Sequence, residues 1–269
     1  MSAHIMVFDS GIGGTTVLEH IQKQLPYARI SYFMDNAFLP YGKLNQQKII
    51  ERLRGLLHFI EVNSLSVDVL VIACNTASTS ALSAIRSLTH IPIVGVVPAI
   101  KPAASITNSH HIGLLATPAT ISSPYTQQLI EDHASSITVS LYSSVALVAI
   151  AEYTYLNGVV DTDKLNAELR ELSINQSIDV LVLGCTHFPI LASAIHAFYQ
   201  GSIKLLDSGA AIAKRVETVL IEKNYSLNSK VTFDHKKKPL HYYATASIVI
   251  DEQPVELVTL TDPIQNEKS

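Results

Sequence analysis

Cysteine is scarce in this sequence, and its scarcity excludes several kinds of site. The 269 residues contain only two cysteines, Cys74 and Cys185. Two are too few for a disulfide framework, and no CxxC pair is present for metal binding or dithiol redox chemistry. We therefore expect two free thiols in a reducing compartment and no metal site.

Excess charge and long apolar runs are also missing. The formal net charge is -4 and the sequence pI is about 6.2, so no basic field is available for nucleic acid, and we expect no such partner. Apolar runs such as "VDVLVIA" at 67–73 are well short of the roughly 20 residues that a membrane helix needs. The N-terminus lacks a basic-then-apolar signal sequence. We expect a cytoplasmic protein with no membrane partner.

Short runs rich in Val, Ile and Leu alternate with amphipathic stretches along most of the chain. This alternation is typical of an α/β protein with mostly parallel sheets, in which strands are buried on both faces. The predicted strands are 4–8, 29–33, 68–73, 92–97, 112–116, 137–142, 179–183 and 203–206. The predicted helices are 14–24, 44–63, 77–88, 120–133, 163–174, 189–200 and 209–222.

Part of the chain is repeated. "VDVLVIACNTAS" at 67–78 comes back as "IDVLVLGCTHFP" at 178–189, with one cysteine at the same place in each copy. "HIMVFDSGIGGTTVL" at 4–18 is echoed at 111–125, so a duplicated α/β unit is our interpretation. The prolines of "VVPAIKPAA" suggest a boundary near 98, and "LLDSGA" suggests another near 207. In the tail, "KVTFDHKKKPLHYYATAS" contains two candidate strands around a basic turn, and the polar end is expected to fray.

Several small, polar turns follow predicted strands, where sites form in open α/β sheets. They are Asp9-Ser10-Gly11, Pro40-Tyr41-Gly42, Cys74-Asn75-Thr76, Thr117 to Thr120, and Cys185-Thr186-His187. None contains Arg or Lys, and their neutral donors suit a small zwitterionic or dicarboxylic ligand. These donors are Ser10, Asn75, Thr76, Thr117, Thr120 and Thr186. Each alone could be an ordinary helix N-cap, but the set predicts a common crevice.

The glycines of "DSGIGG" invite a comparison with phosphate-binding loops. The stretch lacks the Lys of a P-loop and does not match G-x-G-x-x-G, so nucleotide binding is disfavoured. Gly11, Gly13 and Gly14 would still allow backbone amides to approach an anion, and a carboxylate suits this as well as a phosphate.

The two cysteines are the strongest catalytic candidates. Helix N-termini are expected to lower their pKa, although Asp9 would raise that of a neighbouring thiolate. Two facing thiols could take a proton from one face of a carbon and return one to the other. A cysteine hydrolase using Cys185 and His187 is the alternative, and it leaves Cys74 without a task. His187 could assist Cys185 or be merely exposed, and Glu152 is the weakest candidate because a helical Glu is usually solvated.

The chain resembles the glutamate racemases of the cofactor-independent aspartate/glutamate racemase family. The matching stretches are "FDSGIGG" (8–14), "DNAFLPYG" (35–42), "ACNTAS" (73–78), "PIVGVVPA" (92–99), "LLATPATI" (114–121), "GCTHFPIL" (184–191) and "LLDSGA" (205–210). The resemblance implies two pseudo-symmetric α/β domains, 1–97 plus 207–269 and 98–206, with the active site in the cleft between them. It also implies a cofactor-independent enzyme that supplies D-glutamate for peptidoglycan, and a homodimer is a further expectation.

Residue roles follow from the same resemblance. Cys74 would deprotonate D-glutamate and Cys185 L-glutamate, with Asp9, Glu152 and His187 assisting the thiols. The substrate-binding turns would be Asp9-Ser10, Pro40-Tyr41-Gly42, Asn75-Thr76 and Thr186-His187. An aspartate racemase, the cysteine hydrolase, and a degenerate binding protein acting on a partner such as a topoisomerase remain the alternatives.

Some stretches depart from the family pattern. "SSVALVAIAEY" before Glu152 and "EQPVELVTLTD" near the C-terminus differ from the usual family sequences. No extension precedes the first predicted strand, so we expect no regulation by the cell-wall precursor that acts on some longer members.

Overall fold

The computed structural model describes residues 2–225, 240–250 and 253–263, and the described strands form two sheets. The strands are β1 His4–Asp9, β2 Arg29–Met34, β3 Val69–Ile72, β4 Ile93–Gly95, β5 His111–Ala116, β6 Thr138–Ser143, β7 Val180–Gly184, β8 Lys204–Leu206, β9 His241–Ala244 and β10 Val255–Leu257. One sheet has the order β10-β9-β2-β1-β3-β4 and the other has the order β6-β5-β7-β8. Neighbouring strands pair in parallel throughout both sheets. The predicted α/β class is confirmed.

Helices cover both faces of the sheets. They are α1 Thr15–Gln24, α2 Gln46–Val62, α3 Asn75–Arg86, α4 Ile100–Ile106, α5 Pro118–Ile121, α6 Pro124–Ala134, α7 Ala146–Asn157, α8 Thr162–Leu172, α9 Ala192–Phe198 and α10 Gly209–Glu222. Short 3-10 turns occupy Asn36–Phe38, Tyr41–Lys43 and Phe188–Leu191. On the first sheet, α1 and α10 pack against each other on one face, while α2 and α3 pack together on the other.

All eight predicted strands are present, and the helices depart from prediction in places with clear causes. The helix expected over 120–133 is two helices, because Ser123 caps the second one and Pro124 occupies its first turn. The helix α4 was missed because its prolines indicated a boundary, yet Pro102 lies in the first turn, where no backbone donor is needed. The helix α7 was missed because its sequence is apolar without a helical period.

The two sheets are formed by different parts of the chain. Strands β5 to β8 are consecutive and form the whole four-stranded sheet, with α4 packed against β5 and β7. The six-stranded sheet combines the first four strands with β9 and β10, and α10 packs on α1. The domain bounds 1–97 plus 207–269 and 98–206 stay a prediction. Of the two candidate tail strands, β9 is present and the other lies outside the described residues.

Buried strands position the site. Every residue of β1 and β3 is buried, and each fully buried Val or Ile stabilises the fold by about 1.5–3 kcal/mol. The register sets Phe8 opposite Ile72, and Ala116 of the second sheet opposite Gly184. The strands therefore end level with one another, and the turns after them share one edge of each sheet. Among the described helices, none is both long and apolar enough to cross a lipid bilayer.

Candidate active site

The polar turns that follow the strands meet where the two sheets face each other. Thr186 donates a hydrogen bond from Oγ1 to Asp9 Oδ2 at 2.9 Å, which joins the second sheet to the first. Thr76 and Thr117 share a hydroxyl hydrogen bond of 2.8 Å. Gly42 lies so close to Thr117 that a Cβ there would be 2.8 Å from the threonine Cβ. These contacts place the five turns around one crevice.

Cys74 lies at the N-terminus of α3 and is 5 % exposed. Its thiol donates to Ser10 Oγ at 3.8 Å. Burial raises the pKa of Cys74 well above its usual range, and the Asp9 carboxylate raises it further. The expected lowering by the helix N-terminus is therefore outweighed, although the Ala77 amide does act in that direction. The raised pKa favours the thiol form of Cys74.

Cys185 has a different neighbour. Its Sγ lies 3.8 Å from Nδ1 of His187, a residue that is only 2 % exposed. Burial alone would lower the pKa of His187, but contacts with Cys185, Glu152 and Asp9 outweigh it and raise the pKa to about 10. The protonated ring donates from both nitrogens, from Nδ1 towards sulfur and from Nε2 to Glu152. The geometry suits a thiolate–imidazolium pair at Cys185.

Glu152 lies on α7 and completes this pair. Its Oε1 accepts hydrogen bonds from His187 Nε2 at 2.7 Å and from the Ile12 amide at 3.0 Å. The side chain is 14 % exposed, so the expectation that a helical Glu would be solvated is wrong here. The sequence did carry a signal for this, since a lone carboxylate within an apolar helix needs a buried partner.

Asp9 lies at the end of β1 and faces both halves of the site. Its Oδ1 accepts from the Gly11 amide at 2.9 Å, and its Oδ2 accepts from Thr186. Burial raises the pKa of Asp9, and the positive charge of His187 is the largest opposing influence. One carboxylate therefore disfavours ionisation of Cys74 and favours protonation of His187.

The glycines after β1 give His187 and Glu152 room to approach. A Cβ on Gly13 would lie 2.4 Å from His187 Nδ1, and one on Gly11 would lie 2.3 Å from Glu152 Oε1. Tyr32, a residue that sequence reasoning missed, fixes the glycine-rich turn after β1. Its hydroxyl donates to the Gly11 carbonyl at 2.8 Å. These glycines serve close side-chain approach across the two sheets.

Hydroxyls and one amide line the rest of the crevice. Thr120 is fully buried, and its hydroxyl lies 3.2 Å from Thr76 and 3.0 Å from Thr117. Asn75 is 4 % exposed, and its Oδ1 is buried without a hydrogen-bond partner among the described residues. A buried acceptor without a donor is costly, which makes Asn75 Oδ1 a site for a donor group of a ligand.

The turn 40–42 presents backbone to the crevice. The Leu39–Pro40 peptide is cis, and Tyr41 is 1 % exposed. The Tyr41 hydroxyl donates to Asp35 Oδ2 at 2.5 Å, so it points to a buried carboxylate that sequence reasoning did not select. The sequence feature that could have identified Asp35 is its position directly after β2. Thr16 was also missed, and it donates to the Thr186 carbonyl at 3.0 Å.

A small cavity borders one side of the site. A cavity of about 10 Å³ lies beside Cys185, lined also by Asn75, Thr186, Asp207 and Ser208. This volume holds about one water molecule. The connections between the two sheets run through 96–99 and 206–208, where Ser208 Oγ donates to the Val97 carbonyl at 2.6 Å.

Comparison with known proteins identifies the family and the fold of this chain. Residues 10–216 match the family described as Asp/Glu/Hydantoin racemase. The glutamate racemase of Shewanella frigidimarina (strain NCIMB 400) is 44% identical over 262 residues, covering 97% of this chain and 100% of that protein. The glutamate racemase of Shewanella oneidensis is 47% identical over 231 residues, covering 86% of this chain and 84% of that protein. The crystal structure of Escherichia coli glutamate racemase in complex with L-glutamate and activator UDP-MurNAc-ala superposes with a TM-score of 0.81 at 34% identity, covering 92% of this chain and 91% of that one. The chain therefore belongs to the Asp/Glu/Hydantoin racemase family, as its sequence motifs predict.

Proposed function

We propose that this chain is a glutamate racemase that interconverts L- and D-glutamate without a cofactor, using Cys74 and Cys185 as its two acid–base groups. The observation that carries the proposal is the placement of two buried cysteines after matching strands of two facing sheets, each with its own polar partner. Proton exchange at one carbon needs a base on one face and an acid on the other, and this arrangement can provide both.

The resting protonation state sets the first direction. In this proposal, Cys185 starts as the base because its Sγ lies 3.8 Å from His187 Nδ1, and Cys74, whose pKa is raised by burial, starts as the thiol. The Cys185 thiolate removes the Cα proton of L-glutamate. Cys74 then donates its proton to the opposite face and gives D-glutamate. The enzyme is left with a Cys185 thiol and a Cys74 thiolate, which is the form that deprotonates D-glutamate.

Three ionisable neighbours support this exchange. His187 keeps Cys185 ionised through its positive charge, and Glu152 orients the imidazole through Nε2. Asp9 keeps Cys74 protonated at rest. Because its own pKa is raised, Asp9 can also hold a proton when Cys74 becomes the thiolate.

Substrate recognition uses the neutral lining of the crevice. The unpartnered Asn75 Oδ1 accepts from the substrate ammonium group. Carboxylates are held by hydroxyl and backbone donors, since the turns carry no Arg or Lys. The residues that we assign to binding are Asp9, Ser10, Pro40, Tyr41, Gly42, Asn75, Thr76, Thr117, Thr120, Thr186 and His187.

The cellular role follows from the product. We assign the enzyme to the cytoplasm, where its D-glutamate supplies peptidoglycan synthesis, and growth of a D-glutamate auxotroph carrying the gene tests this role. A homodimer is part of the proposal, and light scattering on the purified protein tests it.

The first experiment is incubation of purified protein with D- or L-glutamate, without added cofactor, while optical rotation is recorded. Decay of rotation to zero from either enantiomer supports the proposal. The ratio of kcat/KM for glutamate and aspartate separates the two substrates. No racemisation by the wild-type protein, together with a hydrolytic activity that survives Cys74→Ser, would instead favour a one-cysteine hydrolase built on Cys185 and His187.

A further inference from the structure

A second buried polar network lies behind the turn 40–42, away from both thiols. Its centre is Asp35, a fully buried carboxylate directly after β2. Asp35 accepts four hydrogen bonds from three side chains, which saturates its two oxygens. Such a buried charge keeps its place only while all its partners are present. The network therefore holds its donors in one fixed arrangement.

Arg52 of α2 supplies the counter-charge. Its Nε and Nη2 donate to the two Asp35 oxygens at 2.7 and 2.8 Å, which is the bidentate pairing that fixes orientation as well as distance. Nη1 donates to the Leu260 carbonyl at 3.2 Å. The guanidinium also lies 4.0 Å from the ring centroid of Phe38, so Arg52 stacks on the turn before Pro40.

Residues 245–246 and 260–262, which we name the C-terminal strap, hold the network from the other side. Thr245 Oγ1 donates to Asp35 Oδ1 at 2.8 Å and accepts from the Ala37 amide at 3.0 Å. Asn36 and Ala246 exchange two hydrogen bonds of 2.8 and 2.9 Å. The strap is thus joined to both side chain and backbone at the start of the 36–44 segment.

The network reaches the crevice through Tyr41. The Tyr41 hydroxyl donates to Asp35, and its neighbour Gly42 lies against Thr117 of the second sheet. A small shift of Tyr41 would therefore alter the position of the turn 40–42 against the crevice.

We propose that Thr245 and Arg52 are positioning residues that act through Asp35 to fix the turn 40–42, so that the Thr245 contact of the C-terminal strap supports the substrate site from outside it. This inference rests on the proposed function, in which that turn binds glutamate. Residues 260–262 of the strap lie in the stretch 252–262 that departs from the family pattern, whereas Thr245 and Ala246 lie outside that stretch.

The test compares Thr245→Val, which removes one hydroxyl at nearly constant volume, with a control on the same strap. Asp262 pairs with Arg54 Nη2 at 2.9 Å, on the other side of the strap, so Asp262→Asn loosens the strap without touching Asp35. Both variants are measured for racemisation kinetics, melting temperature and hydrogen exchange. The reporting amides are those of Lys43 and Leu44, which bond to Pro40 and Tyr41 carbonyls.

We expect Thr245→Val to raise KM for glutamate about fivefold with kcat nearly unchanged, and to speed exchange at Lys43 and Leu44 about tenfold. Asp262→Asn should lower the melting temperature and leave KM and those amides as they are. Arg52→Lys, which keeps the charge and loses the paired bonds, should act like Thr245→Val and replaces it if that variant does not fold. Thr245→Ser should restore wild-type behaviour.

Equal changes in KM and exchange in Thr245→Val and Asp262→Asn would overturn the inference, because the strap would then act only on general stability. Unchanged exchange in Thr245→Val and Arg52→Lys would also overturn it. If the wild-type protein does not racemise glutamate, the proposed function fails, while the exchange comparison still tests the positioning of the turn.

Discussion

The two cysteines occupy equivalent places in two copies of one motif, and their surroundings differ. Cys74 and Cys185 are 5 % and 6 % exposed, and each follows a buried strand. Cys74 has a neutral partner at 3.8 Å, Ser10, while Cys185 has a histidine at the same distance. That histidine is held in turn by Glu152. Similar geometry thus comes with opposite electrostatics.

This difference shows how two copies of one motif can hold their cysteines in different protonation states. A base and an acid are needed at the same time, and different surroundings determine which of the two thiols is the base at rest. Asp9 strengthens the contrast, since its charge raises the pKa of Cys74 and of His187 together. The asymmetry therefore lies in the neighbours of the cysteines.

Replacing either cysteine should cause the largest loss of activity. We predict that Cys74→Ser and Cys185→Ser each lower kcat/KM by about 10³-fold in both directions, because each removes the acid or base for one face. The losses must match in the two directions, since the equilibrium constant between enantiomers is one. Racemisation rates from L- and D-glutamate measure this, and retained activity in one of the two variants would contradict the two-thiol account.

Moving His187 should make the two sites more alike. In Gly13→Ala the new Cβ would lie 2.4 Å from His187 Nδ1, so the imidazole must leave Cys185. We predict a loss of about 100-fold in kcat, because the thiolate loses its counter-charge. Gly158→Ala is the control. Gly158 has φ +68, and no atom of the described residues lies within 4 Å of its Cβ position, so stability should fall without a loss of kcat. Equal kcat in Gly13→Ala and wild type would refute this role of the loop.

The charge on His187 also predicts a pH effect on stability. Its pKa rises from 6.5 to about 10 in the folded protein, so its stabilisation is fully present below pH 6.5 and is lost as pH rises through about 10. We expect the difference in unfolding free energy between wild type and His187→Gln to shrink by about 2 kcal/mol between pH 6.5 and 10.5. Urea unfolding at several pH values measures it, and a pH-independent difference would show that His187 is neutral.

The smallest expected difference between Cys74 and Cys185 is in their rates of alkylation. The two sulfurs are similarly buried, so their reaction rates with iodoacetamide should follow the thiolate fraction. We predict that Cys185 is labelled about tenfold faster than Cys74 at pH 7 in the absence of substrate. Mass spectrometry of the peptides gives both rates in one sample, and preference for Cys74 would reverse our assignment of the resting state.

The site residues that could be predicted from the sequence are those whose position depends on the nearest strand. Residues that depend on partners far along the chain could not be predicted in this way. Asp9, Cys74 and Cys185 could be predicted because each follows a buried strand, and parallel strands bring their carboxyl ends to one edge. Glu152 was assigned only through the family resemblance. Its partners Ile12 and His187 come from distant parts of the chain, and α7 has no periodicity that shows which face is buried.

The partners of Asp35 could not be predicted from the sequence for a related reason. Arg52 reads as an exposed residue of an amphipathic helix, and Thr245 as part of a tail strand. Only the pairing of β9 with β2 brings Thr245 beside Asp35. Long-range contacts of this kind depend on sheet order, and periodicity alone does not predict it.

Hydrogen exchange at Cα during turnover tests the central claim most directly. L-Glutamate is incubated with the enzyme in deuterated buffer, and both enantiomers are recovered early in the reaction. Two thiols with opposite protonation predict deuterium at Cα of the D-glutamate formed and protium in the remaining L-glutamate, because one group removes the proton and the other delivers a solvent-derived deuteron. Deuterium appearing equally in recovered L-glutamate would point to one group serving both faces and would contradict the account.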